Sequence, residues 1–256
     1  MFITINAQNH IQTILVGDTV ELRFPVQHGT IQWQFSTDSL TWSDMIGFSD
    51  SVAVFRATPN PTKRYYKARI TDTSSSNGTI FYSSIVTQKI INSTMEIEIG
   101  DWFQGGIVFY KDGNGHGLIA PQNDQSDGIQ WGCYGTSIRG AISYTDGTGN
   151  TKAIVASCIT RPIAASVCYE LVLNGYDDWF LPAKDQLDFL FQQQTVVGGF
   201  SGNVYCSSSE FNEVKRSIFN PVRHNERANW VHNFYTGKRG DANKYDISKV
   251  RCVRAF

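Results

Sequence analysis

Adjacent carboxylates at Asp177 and Asp178 are the residues whose type and spacing could most directly do chemistry in this chain. Neighbouring carboxylates offer the oxygen ligands that Ca²⁺ prefers in proteins. The alternative is a structural role for both acids in their loop. Calcium therefore stays open as a cofactor, while cysteine and histidine show no spacing typical of a transition-metal site.

Nucleophilic catalysis has few candidates. His116, His224 and His232 lie in polar segments rich in glycine or asparagine, and none stands beside a recognisable nucleophile motif. The run Ser-Ser-Ser-Glu from Ser207 to Glu210 could be mistaken for a nucleophile loop, but hydroxyls bonded to the backbone are the simpler expectation. We therefore predict that the chain is not an enzyme.

The cysteines all lie in the second half of the chain and include no CxxC pair. They are Cys133, Cys158, Cys168, Cys206 and Cys252. An odd number leaves at least one thiol free unless a partner chain supplies another.

Composition indicates a β-rich globular protein with many loops. Only 18% of the 256 residues are charged and 13% are aromatic, which fits neither a helical bundle nor a disordered chain. The first residues lack a basic segment followed by an apolar core, so no signal peptide is expected. No run approaches the roughly 18 apolar residues of a membrane span, so we expect no membrane insertion.

Basic charge is concentrated near the C-terminus, although the whole chain has a formal net charge of −1. Residues 210–256 carry 10 Lys and Arg against 5 Asp and Glu, whereas residues 1–209 carry 12 against 18. The basic set is Lys215, Arg216, Arg223, Arg227, Lys238 and Arg239. It is either a solvated loop face or a surface for an anionic ligand or glycan. Nucleic acid is not expected as a partner, because no recognised motif organises these charges.

Alternating apolar residues predict antiparallel strands in the first part of the chain. Val20 and Leu22 fall on one face of a strand, and turn residues separate such runs at intervals typical of a sandwich. Trp33 on an early strand and Tyr65 on a later one resemble the all-β immunoglobulin-like sandwich. We predict residues 1–93 as an immunoglobulin-like spacer or docking domain with Trp33 in its core. An aromatic ligand platform is the alternative for Trp33.

Residues 94–256 mix strands and helices and form the second predicted domain. A strand is predicted to begin at Met95, and a helical pattern runs from Lys152 to Asn174. A second helix is predicted from about Ala183 to Gln193, where Leu187 and Leu190 face inward. The last predicted strand runs from Val250 to Phe256.

Three separated motifs carry a resemblance to a known family. They are GYDDWFLPAKDQLDFL at residues 175–190, CSSSE at residues 206–210 and VRCVRAF at residues 250–256. In this order they resemble the C-terminal domain family of bacterial collagen-like adhesins, which is similar in fold to C-type lectins. The same layout occurs in the variable proteins of diversity-generating retroelements, which are phage or cell-surface receptors. The resemblance covers about Ile99 to Phe256 and implies an α+β C-type lectin-like fold that binds a ligand without catalysis.

The resemblance also implies roles for individual residues. Trp179, Trp230 and Phe234 are expected to be buried scaffold, and the acids beside Trp179 to bond turn amides, which ranks calcium below a structural role. The exposed polar positions after Glu210 are expected to bind the ligand: Asn212, Glu213, Asn229, His232, Tyr235, Lys238, Arg239, Asp241, Asn243, Tyr245 and Ser248. Extra residues between Val214 and Arg227 depart from the family pattern.

C-type lectins often join the first helix to the last strand by a disulfide, so the resemblance implies a bridge between Cys168 and Cys252. Buried thiols are the alternative if the protein assembles in a reducing compartment. The expected partner is a cell-surface protein or glycan, and the expected assembly is a homotrimer or a larger fibre. The expected location is a phage tail or the exterior of a cell.

Two other function classes stay open. Formylglycine-generating enzymes share the C-type lectin fold, so the fold alone does not exclude catalysis. Such an enzyme needs a cysteine pair near the C-terminal strands, for which Cys206 and Cys252 are the candidates. The third class is a purely structural subunit of a virion or pilus.

Overall fold

The computed structural model describes residues 11–25, 29–74, 78–201, 203–211, 216–217, 220–221 and 226–256. These residues form a mainly β-sheet protein with few helices. Contacts between Cα atoms divide the chain into two compact units. The first unit is Met1–Gln104 with Gly113–His116, and the second is Gly105–Asp112 with Gly117–Phe256.

The first unit is built from strands in two sheets. Its strands are β1 (Gln12–Leu15), β2 (Thr19–Arg23), β3 (Thr30–Ser36), β4 (Ser43–Asp44), β5 (Val52–Arg56), β6 (Lys63–Thr71), β7 (Ile80–Tyr82), β8 (Val86–Ile91) and β9 (Trp102–Phe103). The larger sheet has the order β9-β1-β8-β6-β3-β4, and β7 also pairs with β6. Strands β2 and β5 form a separate antiparallel pair.

One apolar core joins the two sheets of the first unit. Val20 and Leu22 of β2 and Ala53 of β5 pack in the same cluster as Trp33 of β3. Trp33 is fully buried, and its indole N–H donates to the Asp50 carbonyl over 2.9 Å, so its polar atom is satisfied inside the core. Trp33 therefore lies in the core, as the strand pattern predicts.

The segment after β8 belongs to the first unit. A 3₁₀ turn occupies Thr94–Glu96, so the strand predicted to begin at Met95 is wrong. The Ser93 hydroxyl accepts a hydrogen bond from the Met95 N–H over 3.2 Å and starts a helical turn instead. Because β9 then pairs with β1, the break in contacts falls after Gln104, whereas the sequence predicts a boundary after residue 93.

The second unit combines strands with short helices. Its strands are β10 (Gly106–Lys111), β11 (Gly117–Ala120), β12 (Ser126–Gln130), β13 (Val204–Glu210), β14 (Arg216–Ser217), β15 (Asn220–Pro221), β16 (Ala228–Asn233), β17 (Arg239–Asn243), β18 (Ile247–Val250) and β19 (Arg254–Ala255). Its helices are α1 (Gly147–Ser157), α2 (Ala164–Tyr169), α3 (Lys184–Gln192) and α4 (Gln194–Val197), with a 3₁₀ turn at Arg139–Ala141. Strands β19, β11 and β10 pair with one another in that order. A five-stranded sheet has the order β12-β18-β13-β16-β17, and β14 pairs with β15.

The helices follow the sequence pattern only in part. The Asp146 carboxylate accepts a hydrogen bond from the Gly149 N–H over 2.8 Å and so caps the start of α1. The helix predicted from Lys152 to Asn174 is wrong as one element, because Pro162 lies between α1 and α2 and has no N–H to donate. Val172, which continues the apolar spacing of that predicted helix, is 73% exposed. The second predicted helix is confirmed as α3. None of the described helices is long and apolar enough to cross a bilayer.

Two disulfides cross-link the second unit. Cys168 of α2 is bonded to Cys252, the pair that the family resemblance implies. Cys133 is bonded to Cys158 directly after α1, a pair that the sequence did not indicate. Cys206 of β13 is a buried free thiol. The bridge at Cys252 falls between β18 and β19, so the single strand predicted from Val250 to Phe256 is split into two.

Candidate ligand-binding surface

Apart from Ser248 on β18, those predicted ligand-binding residues that the structure describes lie on and beside the β16–β17 hairpin. This hairpin forms one edge of the five-stranded sheet, because β17 is the last strand in the order. Ala228 pairs with Asn243 at the open end of the hairpin, and His232 pairs with Arg239 next to its turn. At a rise of about 3.3 Å per residue, these ends are about 13 Å apart. The predicted residues therefore extend from one end of the hairpin to the other.

Three predicted ligand-binding residues are buried, so the expectation that they are exposed is wrong. Asn229, His232 and Ser248 are 1%, 3% and 6% exposed. Asn229 pairs across the sheet with Glu210, and the His232 ring packs 4.3 Å from the Phe191 ring. Ser248 lies on β18, which has a neighbouring strand on each side. Residues from other elements thus cover positions that the local pattern assigns to the surface.

The remaining predicted residues differ in exposure. Tyr235 is 84% exposed and Tyr245 is 48% exposed. Lys238 and Arg239 are exposed, whereas Asp241 and Asn243 are half-buried on β17. Asn212, Glu213, Lys215 and Arg223, together with the side chain of Arg216, lie outside the described residues.

The turn end of the hairpin carries Tyr235 and Lys238. The side-chain oxygen of Asn233 accepts hydrogen bonds from the N–H groups of Tyr235 and Thr236, both over 2.9 Å. Gly237 has a φ of 69°, a conformation that most side chains disfavour. This tight turn points Tyr235 and Lys238 into solvent.

Arg239, beside the turn end, is held by a buried acid. Its guanidinium lies 2.8 Å from one Asp188 oxygen. Nδ1 of His232 lies 2.9 Å from the other Asp188 oxygen. Arg239 is therefore partly committed to the fold and less free to bind a ligand than Lys238.

Two tyrosines form an exposed aromatic pair at the open end. The rings of Tyr134 and Tyr245 lie 4.8 Å apart, and the side chains are 47% and 48% exposed. The Arg227 guanidinium lies 6.0 Å from the Tyr134 ring centroid. We call Tyr134, Arg227 and Tyr245 the open-end surface. The sequence pointed to Arg227 and Tyr245 but missed Tyr134, whose one local signal is its place between Cys133 and Gly135 in a loop.

The loop that carries Tyr134, residues 131–138, is fixed to the hairpin through its backbone. The Gly135 N–H donates to the Glu226 carbonyl over 2.8 Å. The Gly132 N–H donates to the Lys244 carbonyl over 3.1 Å. We call this segment the Tyr134 loop.

A buried ion pair lies between the Tyr134 loop and the hairpin. Lys244 and Glu210 are both fully buried, and the Lys244 ammonium contacts the Glu210 carboxylate. The ammonium also donates to the Thr136 carbonyl over 2.7 Å and lies 4.5 Å from the Trp131 ring centroid. Glu210 accepts a hydrogen bond from the Ile138 N–H over 2.7 Å. Burial lowers the pKa of Lys244, while Glu210 acts in the opposite direction.

The residues from Ser207 to Glu210 have a structural role. All of them are buried. The Ser207 hydroxyl donates to the Trp230 carbonyl over 2.9 Å, and the Ser209 hydroxyl donates to the Ser143 carbonyl over 2.6 Å. These are the backbone hydrogen bonds that the sequence predicts for these hydroxyls.

The Asp177–Asp178 segment is tied to the fold by its neighbours. Asp178 forms an ion pair with Arg254, and the Trp179 indole N–H donates to the Tyr176 carbonyl over 3.2 Å. The predicted scaffold residues Trp179, Trp230 and Phe234 are buried. In the described part of the chain, no group of three or more His, Cys, Asp and Glu side chains is placed to hold a metal ion.

The open-end surface is the place where predicted binding residues meet each other and rest on a fixed support. At the turn end, the Tyr235 ring has no partner ring and the Lys238 side chain has no ion pair within the described residues. In comparisons with known proteins, no family model and no curated sequence matches this chain.

Proposed function

We propose that this protein binds a cell-surface protein or glycan without catalysis, through the open-end surface of its second unit. One observation carries the proposal: the exposed ring pair of Tyr134 and Tyr245 lies above the fully buried Lys244–Glu210 ion pair, with Arg227 beside it. Tyrosine and arginine provide large contact areas and are frequent among residues that dominate binding energy.

Preorganisation favours this surface over the turn end. Ordering side chains at an interface costs about 0.5–1.5 kcal/mol for each flexible group, so groups that are already fixed bind more tightly. Tyr134 is fixed by the Tyr134 loop, and Tyr245 directly follows the buried Lys244. The Tyr235 ring at the turn end is 84% exposed and has no partner ring within the described residues, so its rotamer would be fixed only on binding.

The family resemblance extends the proposal to the whole chain. We propose a C-type lectin-like second domain presented by an immunoglobulin-like spacer or docking domain, on a phage tail or a cell surface. A homotrimer or larger fibre is the proposed assembly, and diversification of the C-terminal codons by a retroelement is part of the same proposal. The two-sheet first unit and the helix-and-sheet second unit are compatible with it.

The cysteines favour binding over the formylglycine-generating alternative. That alternative requires a reactive pair from Cys206 and Cys252, but Cys252 is bonded to Cys168. Cys206 is 1% exposed, and burial raises the pKa of its thiol to about 12. A protonated buried thiol is a poor nucleophile.

The proposal is tested with the labelled protein on a glycan array and on intact bacterial cells. For any bound glycan or strain, the Tyr134→Ala/Tyr245→Ala variant is expected to lose at least about tenfold in affinity, as central aromatic residues do. The matched control is Tyr235→Ala/Lys238→Ala, which removes one tyrosine and one cation at the turn end and is expected to bind like the parent. Loss of binding in the control with none in the first variant would move the site to the turn end.

A further inference from the structure

A pocket of about 400 Å³ opens on the second unit, away from the residues of the open-end surface. It is lined by α1, by the end of α2 with the residues that follow it, and by the segment before α3 that contains the two adjacent acids. Its lining residues are Thr148, Thr151, Lys152, Tyr169, Glu170, Leu171, Val172, Asp177, Asp178, Trp179 and Phe180. This volume falls within the roughly 300–1,000 Å³ that is typical of small-molecule sites.

The walls of this pocket are held in place. The Thr151 hydroxyl accepts a hydrogen bond from the Leu181 N–H over 3.0 Å, and Phe180 pairs through its backbone with Val253. The disulfide at Cys168 anchors the end of α2 next to the lining segment. A ligand would therefore meet a preformed cavity and would not have to order its walls.

The lining is apolar on one side. Trp179 and Phe180 are buried behind it, whereas Val172 is 73% exposed and Tyr169 is 47% exposed. Exposed apolar groups that line a cavity gain free energy when a ligand removes them from water. The pocket therefore favours a ligand with an apolar portion.

The charged groups of the pocket divide into paired and unpaired ones. Asp178 is paired with Arg254, and Glu170 lies 4.0 Å from Arg161. The exposed side chains of Lys152 and Asp177 have no hydrogen bond or ion pair within the described residues. The cavity thus presents one uncommitted cation and one uncommitted anion.

The spacing on α1 gives Lys152 its place in the pocket. Thr151 and Lys152 follow Thr148 by three and four residues, so each lies on the same side of α1 as Thr148, and all three line the cavity. Asp177 lines the cavity from the segment before α3, two residues before the buried Trp179. A ligand with two opposite charges can therefore engage both walls.

We propose that this pocket binds a free α-amino acid with an apolar side chain. Its ammonium group pairs with Asp177, its carboxylate pairs with Lys152, and its side chain packs against Leu171 and Val172. A purely anionic or purely cationic ligand satisfies only one of the two uncommitted groups. This site is separate from the open-end surface, so the inference does not rest on the proposed function.

The test is an NMR titration of the full chain with L-phenylalanine, followed through the amide signals of Leu171 and Val172. We expect saturable shifts with a Kd of about 1 mM, a reasonable affinity for a ligand of this size. Two probes each lack one charge: phenethylamine has no carboxylate, and 3-phenylpropionate has no ammonium group. Each is expected to bind at least about fivefold more weakly, as is glycine, which lacks the apolar side chain.

Single substitutions assign each charge. In Asp177→Asn, L-phenylalanine and 3-phenylpropionate are expected to bind equally, because the partner of the ammonium group is gone. In Lys152→Met, L-phenylalanine and phenethylamine are expected to bind equally, because the partner of the carboxylate is gone. Both side chains are exposed, so the amide spectrum should otherwise be unchanged. The control Lys238→Met, at the turn end, should bind like the parent.

The absence of saturable shifts at Leu171 and Val172 would overturn the proposal. Equal affinity of the parent for all three phenyl compounds would also overturn it, because the charges would then play no part. Loss of binding in Lys238→Met would place the ligand at the hairpin instead.

Discussion

The two units of this chain stabilise their interiors by different means. The first unit contains no cysteine, and its core gathers apolar side chains such as Val20, Leu22 and Trp33 around regular strands. The second unit adds two disulfides and buries the charged residues Lys244 and Arg251. Apolar packing predominates in the unit whose regular elements are strands and one 3₁₀ turn. Disulfides and buried cations are found in the unit that combines strands with short helices.

Arg251 illustrates the second kind of stabilisation. It is 1% exposed, and its guanidinium donates to the carbonyls of Pro121, Gly198 and Gly199 and to the Asp124 carboxylate. One side chain thereby connects two loops to the C-terminal segment. An apolar residue at this position could fill the space but could not satisfy those carbonyl groups.

Removal of the disulfide that closes the longer loop should have the largest effect on stability. This effect should be confined to the second unit. Cys168 and Cys252 are 84 residues apart, so Cys168→Ser/Cys252→Ser should lower the free energy of unfolding by about 4–5 kcal/mol, mainly because the unfolded chain gains freedom. Hydrogen exchange measured by mass spectrometry separates the two units. Cys206→Ala is the control, since it removes a cysteine without removing a cross-link. An equal loss of protection from hydrogen exchange in the first unit would show that the disulfide does not stabilise the second unit alone.

Breaking the buried ion pair should be the next largest effect. Lys244→Met leaves the Glu210 carboxylate buried without its counter-charge, and we expect a loss of about 3–5 kcal/mol from the second unit. Lys244→Met/Glu210→Gln should recover at least half of that loss, because the amide oxygen can still accept from the Ile138 N–H and no charge is left unpaired. Chemical denaturation monitored by the second unit's exchange rates measures both. A double variant no better than the single one would show that the pair is not the relevant interaction.

A smaller effect is expected in the core of the first unit. Trp33→Phe removes part of a fully buried side chain and leaves the Asp50 carbonyl without its donor, so we expect a loss of about 1–3 kcal/mol. Exchange should increase in the first unit and remain unchanged in the second. Trp179→Phe is the matched change in the second unit and should give the reverse distribution.

The smallest effect is expected at the turn end. Tyr235→Ala and Lys238→Ala truncate exposed side chains, and each should change the free energy of unfolding by less than about 0.5 kcal/mol. Thermal melting is sufficient to check this. A larger loss would indicate that the turn supports the hairpin through contacts of these side chains.

The regular elements could be predicted from sequence where one local pattern decides them. α3 follows from the spacing of Leu187 and Leu190, which are buried at 1% and 0% exposure. The helix predicted over residues 152–174 failed because Leu171 and Val172 continue a helical spacing after the chain has already left α2. The apolar spacing of a segment does not show whether another element of the fold is there to cover its apolar side.

The candidate site was less predictable than the fold. Tyr235 and Tyr245 are exposed, in agreement with their polar surroundings in the sequence. Asn229 and His232 have similar surroundings but are buried by neighbours from β13 and α3. Tyr134 reaches the surface of the hairpin from a loop far earlier in the chain, and only the tertiary structure brings it there.

The burial of Cys206 has a consequence for how copies of this protein can associate. Formation of an intermolecular disulfide requires an accessible thiolate, and a thiol with a pKa of about 12 inside β13 does not provide one. The other four cysteines are already paired within the chain. A trimer or fibre of this protein would therefore not be held together by disulfides between its copies.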